Sequence, residues 1–314
     1  MKVHYELNQL PVFKRAVITT GSFDGVHQGH LQIIHKMQEI AKKVDGETVI
    51  ITFHPHPRKV IASVPGEIKQ LTNIEERIVL LEKAGIDHLV VVKFDYRFST
   101  MTAEEYLKDF LIAHFHPNSI LSGYDHHFGS GRSGNFELLK SFEQTYGYSV
   151  VEITQFILDG QAISSTLIRN CILEKEIKKA NTLLGYPYNF EGFVIKGNQI
   201  GRTIGFPTAN LHINDEEKLL PSNGVYAVKV KGQCTNGLLF DGMMNIGVRP
   251  TVDGHKKMIE VNIFHFDQDI YEQTLTVFVY EFIRGEVKFN GLEALKEQLN
   301  QDRITISSIL TAYP

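Results

Sequence analysis

The sequence predicts two joined folds: a doubly wound α/β domain with a parallel sheet over residues 1–186, and an all-β antiparallel barrel or sandwich with a terminal helix over residues 187–314. Three observations carry this. Short β-branched runs alternate with helical patterns up to about residue 186; beyond it, runs of strand type are separated by turn dipeptides; and 314 residues give room for two cores at roughly 100 to 200 per domain.

In the first half, Ala16–Thr20, Thr48–Phe53, His88–Val92, Ser119–Ser122 and Ser149–Ile153 have strand character. Between them Gln28–Lys43, Ile74–Ala84, Ala103–Phe115 and Asn135–Tyr146 carry apolar residues at three-to-four spacing, the mark of helices that bury one face. A further helix is expected from Ser164 to Leu184. The boundary is expected near Gly185–Asn189. After it Tyr226–Lys231, Leu238–Ile246, Met258–Phe266 and Leu275–Ile283 are the expected strands, with Asn223-Gly224, Asn236-Gly237, Asp241-Gly242 and Asp253-Gly254 as turns and a helix from Leu292.

Composition narrows the function. Hydrophobic residues are 43% and charged residues 22%, which excludes a disordered chain. The net charge of −4 removes the basic excess of a protein that binds nucleic acid through many phosphates, so an anionic ligand has to be held locally. No apolar run is long enough to span a membrane, and no signal peptide is apparent. Two cysteines without Cys-x-x-Cys spacing form neither a disulfide framework nor a thiolate metal site, and point to a reducing cytoplasm.

Gly21-Ser22-Phe23-Asp24-Gly25-Val26-His27-Gln28-Gly29-His30 follows the first core strand and opens the first long helix, where α/β sheets bind phosphate. Gly21 and Gly25 allow close backbone approach, and His27 and His30 project from one face of the first turn, so two imidazoles can grip one phosphate. Zinc is the weaker reading because no third ligand stands at helical spacing, and no Gly-Lys-Ser/Thr follows to make a Walker loop. Ser164-Ser165-Thr166 at a helix start, with Arg169 three residues on, form a second anion site.

With these motifs on the page, residues 1–186 resemble the Rossmann-like FMN adenylyltransferase module of bacterial bifunctional riboflavin kinase/FAD synthetases. The resemblance extends over Thr52-Phe53-His54-Pro55-His56-Pro57, Leu71-Thr72, Phe94-Asp95, Ala103-Glu104-Glu105-Tyr106-Leu107 and Gly123-Tyr124-Asp125 leading to Phe128-Gly129. It implies ATP contacts at Gly21, Asp24, Gly25, Ser164, Ser165, Thr166 and Arg169, catalysis by His27 and His30, and flavin contacts at Pro55, Pro57 and Asp125. The chain departs from that pattern at Ile61 and at His126-His127.

Residues 187–314 resemble the riboflavin kinase module, through Gly197-Asn198-Gln199-Ile200-Gly201-Arg202-Thr203-Ile204-Gly205-Phe206-Pro207-Thr208-Ala209-Asn210-Leu211 above all. The resemblance implies an ATP-binding flap at Gly201, Gly205 and Thr208, an Mg²⁺ ion on the hydroxyl of Thr208 and the amide oxygen of Asn210, and an essential carboxylate at Glu260. Departures are Asn262, where His is common, and Glu272, where Gly is common. The implied activities are ATP-dependent conversion of riboflavin to FMN and of FMN to FAD, with no nucleic acid or membrane partner. A chain with one working module, or a flavin-binding regulator, remains as an alternative.

Overall fold

The protein is described by a computed structural model covering residues 1–61, 69–123, 126–158, 160–197, 199–251 and 254–313; Tyr124, Asp125, Asn198 and Asp253, named above, lie outside the described residues. Two compact units, Met1–Ser165 and Thr166–Pro314, make up the chain.

The first unit is a parallel six-stranded sheet. Its strands are β1 (Lys2–His4), β2 (Val17–Thr20), β3 (Thr48–His54), β4 (His88–Lys93), β5 (Ser119–Gly123) and β6 (Ser149–Ile153), in the order β1-β4-β3-β2-β5-β6. Only β1 is absent from the sequence reading; three residues that mix Lys2 and His4 give no period to detect. Alternate residues of each strand enter opposite cores. Val49, Ile51 and Phe53 pack on one face with the aromatic residues of 103–115, while Ile50 joins Ile34, Met37 and Ala41 of the helix Gln28–Val44 on the other. From β2 the chain steps to β3 and β4, then crosses back past β2 to β5, and this reversal between β3 and β5 opens a crevice at the carboxyl ends of those strands.

Two expected elements differ in detail, and one element is new. The helix 103–115 is wound as a π-helix over Tyr106–Ile112, which buries Tyr106, Leu107, Phe110 and Leu111 together. The helix 135–146 breaks at Phe142 into Phe136–Ser141 and Glu143–Tyr146. A small hairpin, β7 (Ile157–Leu158) and β8 (Gln161–Ala162), precedes the second anion segment.

The second unit is a closed antiparallel barrel of β9 (Tyr188–Ile195), β10 (Ala209–His212), β11 (Gly224–Gly232), β12 (Phe240–Thr251), β13 (Gly254–Ile263) and β14 (Thr274–Arg284), in the order β10-β13-β12-β11-β14-β9. Closure, rather than a sandwich, leaves no free strand edge. Gly224 opens β11, and Asp241-Gly242 lies inside β12 instead of forming a turn. A Cβ on Gly242 would stand 2.9 Å from the carbonyl oxygen of Asn262, so that glycine serves close strand approach. The terminal helix Leu292–Leu310 packs Ile306 and Leu310 on Val225, Ala227 and Met243. The buried Asp302 anchors it by accepting from Arg284 Nε at 3.1 Å and Nη2 at 2.7 Å.

The helix expected over Ser164–Leu184 is two helices, Ser165–Leu173 and Ile177–Leu184, separated where Lys175 takes a φ of 69°. Both pack with the barrel unit: Asn181 Nδ2 donates to the Val279 carbonyl at 2.9 Å, and the Ser222 hydroxyl donates to that of Leu173 at 2.6 Å. Compactness therefore divides the chain ahead of the expected boundary.

Candidate functional site

The crevice of the first unit is a cleft of about 900 Å³ lined by Thr20, Gly21, His27, Gly29, His30, Phe53, Pro57, Phe94, Phe98, Tyr106, His126, Phe128, Ser164 and Ser165 among others. One end is built from the loop after β2. His27 caps the helix Gln28–Val44, its Nδ1 accepting from the backbone N–H of His30 at 3.3 Å, which leaves the neutral ring its proton on Nε2. The His27 and His30 rings stack with centroids 3.7 Å apart, and Phe23 covers His30 at 4.7 Å. Burial, then the neighbouring His27 and then Arg77, hold the His30 pKa well below 6.5, so its ring is neutral. Its Nδ1 is buried without a hydrogen-bond partner.

The other end is aromatic. Phe53, Phe94 and Phe98 meet pairwise at 5.4 to 5.6 Å, and Tyr106 packs on Phe128 at 5.0 Å. Burial raises the Tyr106 pKa, so its hydroxyl stays protonated. His126, one of the departures, shares a 3.0 Å hydrogen bond between its Nε2 and the Thr20 hydroxyl. The cleft thus pairs an apolar slot for a flat ring with an imidazole pair for phosphate.

Gly21, His27, His30, Pro57, Ser164 and Ser165 line the cleft; Asp24, Gly25 and Pro55 do not. Asp24 is fully buried, and its carboxylate accepts from Leu71 N at 3.1 Å, Thr72 N at 2.9 Å and the Thr72 hydroxyl at 3.2 Å. Gly25 N donates to the same hydroxyl at 2.9 Å, and Ser165 donates to the Asp24 carbonyl at 2.9 Å. A carboxylate inside the fold is stabilised by such donors, and here they bolt the loop after β2 to residues 71–72. Asp24 and Gly25 thereby hold the loop in place. Thr166 and Arg169 belong to the second unit, on the helix Ser165–Leu173. Asp125 falls outside the described residues.

Arg77 went unnoticed in the sequence. A capping box between Asn73 and Glu76 starts its helix, which places the guanidinium in the interior at 2% exposure. Arg77 donates to Gln70 Oε1 at 3.0 Å, the Thr72 carbonyl at 3.1 Å and the Thr52 hydroxyl at 3.4 Å. Burial lowers its pKa, while Asp24 and then Glu76 pull it back up. Nothing in a helical period marks one arginine as buried.

In the barrel, Asn210, Glu260 and Asn245 occupy one row across β10, β13 and β12. Ile259 and Val261 face inward and are fully buried; Glu260, between them, is half-buried on the opposite face. Asn210 is 7% exposed, and its Oδ1 has no hydrogen-bond partner. Gly197 leaves room for it, since a Cβ there would stand 2.2 Å from Asn210 Nδ2. Gly201 is enclosed too: a Cβ would meet the Phe206 carbonyl at 2.2 Å and stand 3.6 Å from the Thr208 hydroxyl. Gly205 has open space and a φ of 83°, so it serves the turn. The segment is held by Asn262, whose Nδ2 donates to the Pro207 carbonyl at 2.7 Å. Asn262 thereby supplies the donor that fixes the backbone at Pro207. Glu272 sits at a φ of 62°, a left-handed backbone that glycine adopts at lower cost.

No cluster of three His, Cys, Asp or Glu side chains suited to a metal occurs among the described residues, nor any helix long and apolar enough to cross a membrane. Residues 10–167 match the FAD synthetase family and residues 184–310 the riboflavin kinase family. Proteins described as bifunctional riboflavin kinase/FMN adenylyltransferase are similar throughout: that of Buchnera aphidicola (Schizaphis graminum) is 38% identical over 94% of both chains, and that of Escherichia coli K12 is 35% identical over 96% of this chain and 94% of its own. A crystal structure from Streptococcus pneumoniae, described as a macrolide-efflux protein, superposes with a TM-score of 0.90 at 31% identity, covering 97% of this chain and 98% of that one.

Proposed function

The chain belongs to the bifunctional riboflavin kinase/FMN adenylyltransferase family, and from that premise we propose how its residues divide the work. The protein phosphorylates riboflavin to FMN with ATP and adenylylates FMN to FAD with release of pyrophosphate. We assign adenylyl transfer to residues 1–186 and phosphoryl transfer to residues 187–314. One observation carries the assignment: each unit holds a buried polar atom without a partner at its motif, His30 Nδ1 in the first and Asn210 Oδ1 in the second. A buried unpaired polar atom costs about 1–3 kcal/mol, a cost that a bound ligand removes.

For adenylyl transfer the attacking group is already a phosphate anion, so no general base is needed. Gly21 gives close backbone approach. His27 and His30 donate to the α-phosphate as charge shifts onto it, and an adjacent polyphosphate raises the His30 pKa toward the charged form. Ser164 and Ser165 receive the outer phosphates, and Pro57, with Pro55 beside it, borders the flavin.

For phosphoryl transfer Glu260 orients the ribityl hydroxyl and accepts its proton. Gly201, Gly205 and Thr208 take the nucleotide phosphates. The residues present fit Mg²⁺: the unpaired Asn210 Oδ1 and the Thr208 hydroxyl are hard oxygen donors. Bound there, the ion would neutralise charge on the transferring group. Two free cysteines, Cys171 buried, support a reducing cytoplasm, and the net charge of −4 supports small-molecule substrates without nucleic acid.

The test is to incubate the full chain with riboflavin, ATP and Mg²⁺ and separate the flavins by chromatography. Glu260→Gln is expected to lose FMN formation yet still convert supplied FMN to FAD. His30→Ala is expected to form FMN but to slow FAD formation by about 10²- to 10³-fold. Parent rates in either variant overturn that residue's role.

A further inference from the structure

We propose that Arg132 selects phosphorylated flavin in the cleft of the first unit, its guanidinium taking the phosphate monoester of FMN; the inference rests on the adenylyl-transfer reading above. Arg132 lies in a turn closed by paired backbone bonds, Phe128 N to Gly134 O at 3.1 Å and Gly134 N to Phe128 O at 2.9 Å. The turn is fastened to the body of the unit. Ser130 N donates to the Met101 carbonyl at 2.7 Å, and Gly129 lies so near Ala103 that a Cβ would stand 2.7 Å from its backbone.

At the tip Gly131 and Arg132 both take left-handed backbone, with φ of 64° and 58°. Glycine adopts that conformation at lower cost than arginine, so the fold by itself gives no reason for a long cationic side chain here. Arg132 lines the cleft, as does Arg58, and among the described residues neither has a carboxylate within ion-pair reach. Phe128, at the base of the turn, belongs to the aromatic wall. The turn therefore joins an apolar surface for a flat ring to a free cation, and FMN has both chemistries where its unphosphorylated form has only the first.

Adenylyl transfer brings a phosphate monoester against a triphosphate, and burial disfavours the charged form of His30. A guanidinium offsets that repulsion and can bond two phosphate oxygens at once. Arg132 is preferred to Arg58 because its backbone is anchored, whereas Arg58 sits on the five-residue helix Pro57–Ile61.

Arg132→Gly tests this, since it removes the cation while relaxing the backbone. In the full chain with ATP and Mg²⁺, two constants are measured: KM for FMN in FAD formation, and Ki for lumiflavin, which has the ring but nothing to phosphorylate. KM for FMN is expected to rise about ten- to hundred-fold, as for loss of a charge-assisted hydrogen-bond pair, with Ki for lumiflavin and the melting temperature not worsened. Arg132→Lys is expected to restore part of the preference. The assignment is overturned if both constants rise together, if neither moves, or if Arg58→Gln alone abolishes the preference. A parent protein that forms no FAD from supplied FMN would overturn the adenylyl-transfer reading itself, an outcome distinct from retained selectivity in Arg132→Gly.

Discussion

A Cβ at Gly29 would stand 3.2 Å from both Cε1 and Nδ1 of the His27 ring, so the glycine between the two histidines is what lets that imidazole lie across the first helical turn. Gly197 stands in the same relation to Asn210 in the barrel. In both units a missing side chain makes the space in which a polar one is held.

Gly29→Ala accordingly separates stability from activity. Alanine favours the helix by up to about 1 kcal/mol, while its methyl group displaces the His27 ring by a few tenths of an ångström. FAD formation is expected to fall about tenfold with no loss of thermal stability. Parallel melting curves and FAD assays check this; unchanged turnover would mean that the ring position is not critical.

The neutral His30 sets a pH dependence of stability. Its folded pKa lies well below 6.5, so below pH 6.5 the unfolded chain binds the proton more readily than the folded one. The contribution is complete above pH 6.5 and is lost as pH falls toward the folded value. In urea unfolding, the parent is expected to lose up to about 1.4 kcal/mol per pH unit more than His30→Gln across that range. Equal slopes for the two proteins would show that burial does not suppress protonation.

Asp24→Ala removes the acceptor for three donors and leaves the buried Arg77 guanidinium without its strongest favourable charge. The expected cost is at least about 3 kcal/mol, since three buried donors lose their acceptor at about 1–3 kcal/mol each. FAD formation is expected to fall with folding of the first unit. Urea unfolding of the variant with and without ATP checks this: a variant as stable as the parent that binds ATP poorly would return Asp24 to the nucleotide contacts.

Much of this was legible in local pattern. The strands and helices of the first unit follow from periods of two and three-to-four residues. The glycine and histidine loop and the Pro-Thr-Ala-Asn stretch carry their chemistry in contiguous residues. Legibility failed where a signal was short or depended on partners far along the chain: β1 has three residues, and Asp241-Gly242 has turn chemistry yet lies in β12 because Gly242 lets the Asn262 carbonyl approach.

By itself the sequence determined the two fold classes, the family and the residue types at both sites, because backbone propensity and hydrophobic period are properties of neighbours in the chain. Only the tertiary structure decided that Asp24 turns inward to Leu71 and Thr72, that Arg77 is buried beside it, that His30 is neutral, and that Asn262 grips Pro207. These outcomes depend on desolvation and on contacts closer than 3.5 Å between distant segments, and both are set by packing in three dimensions.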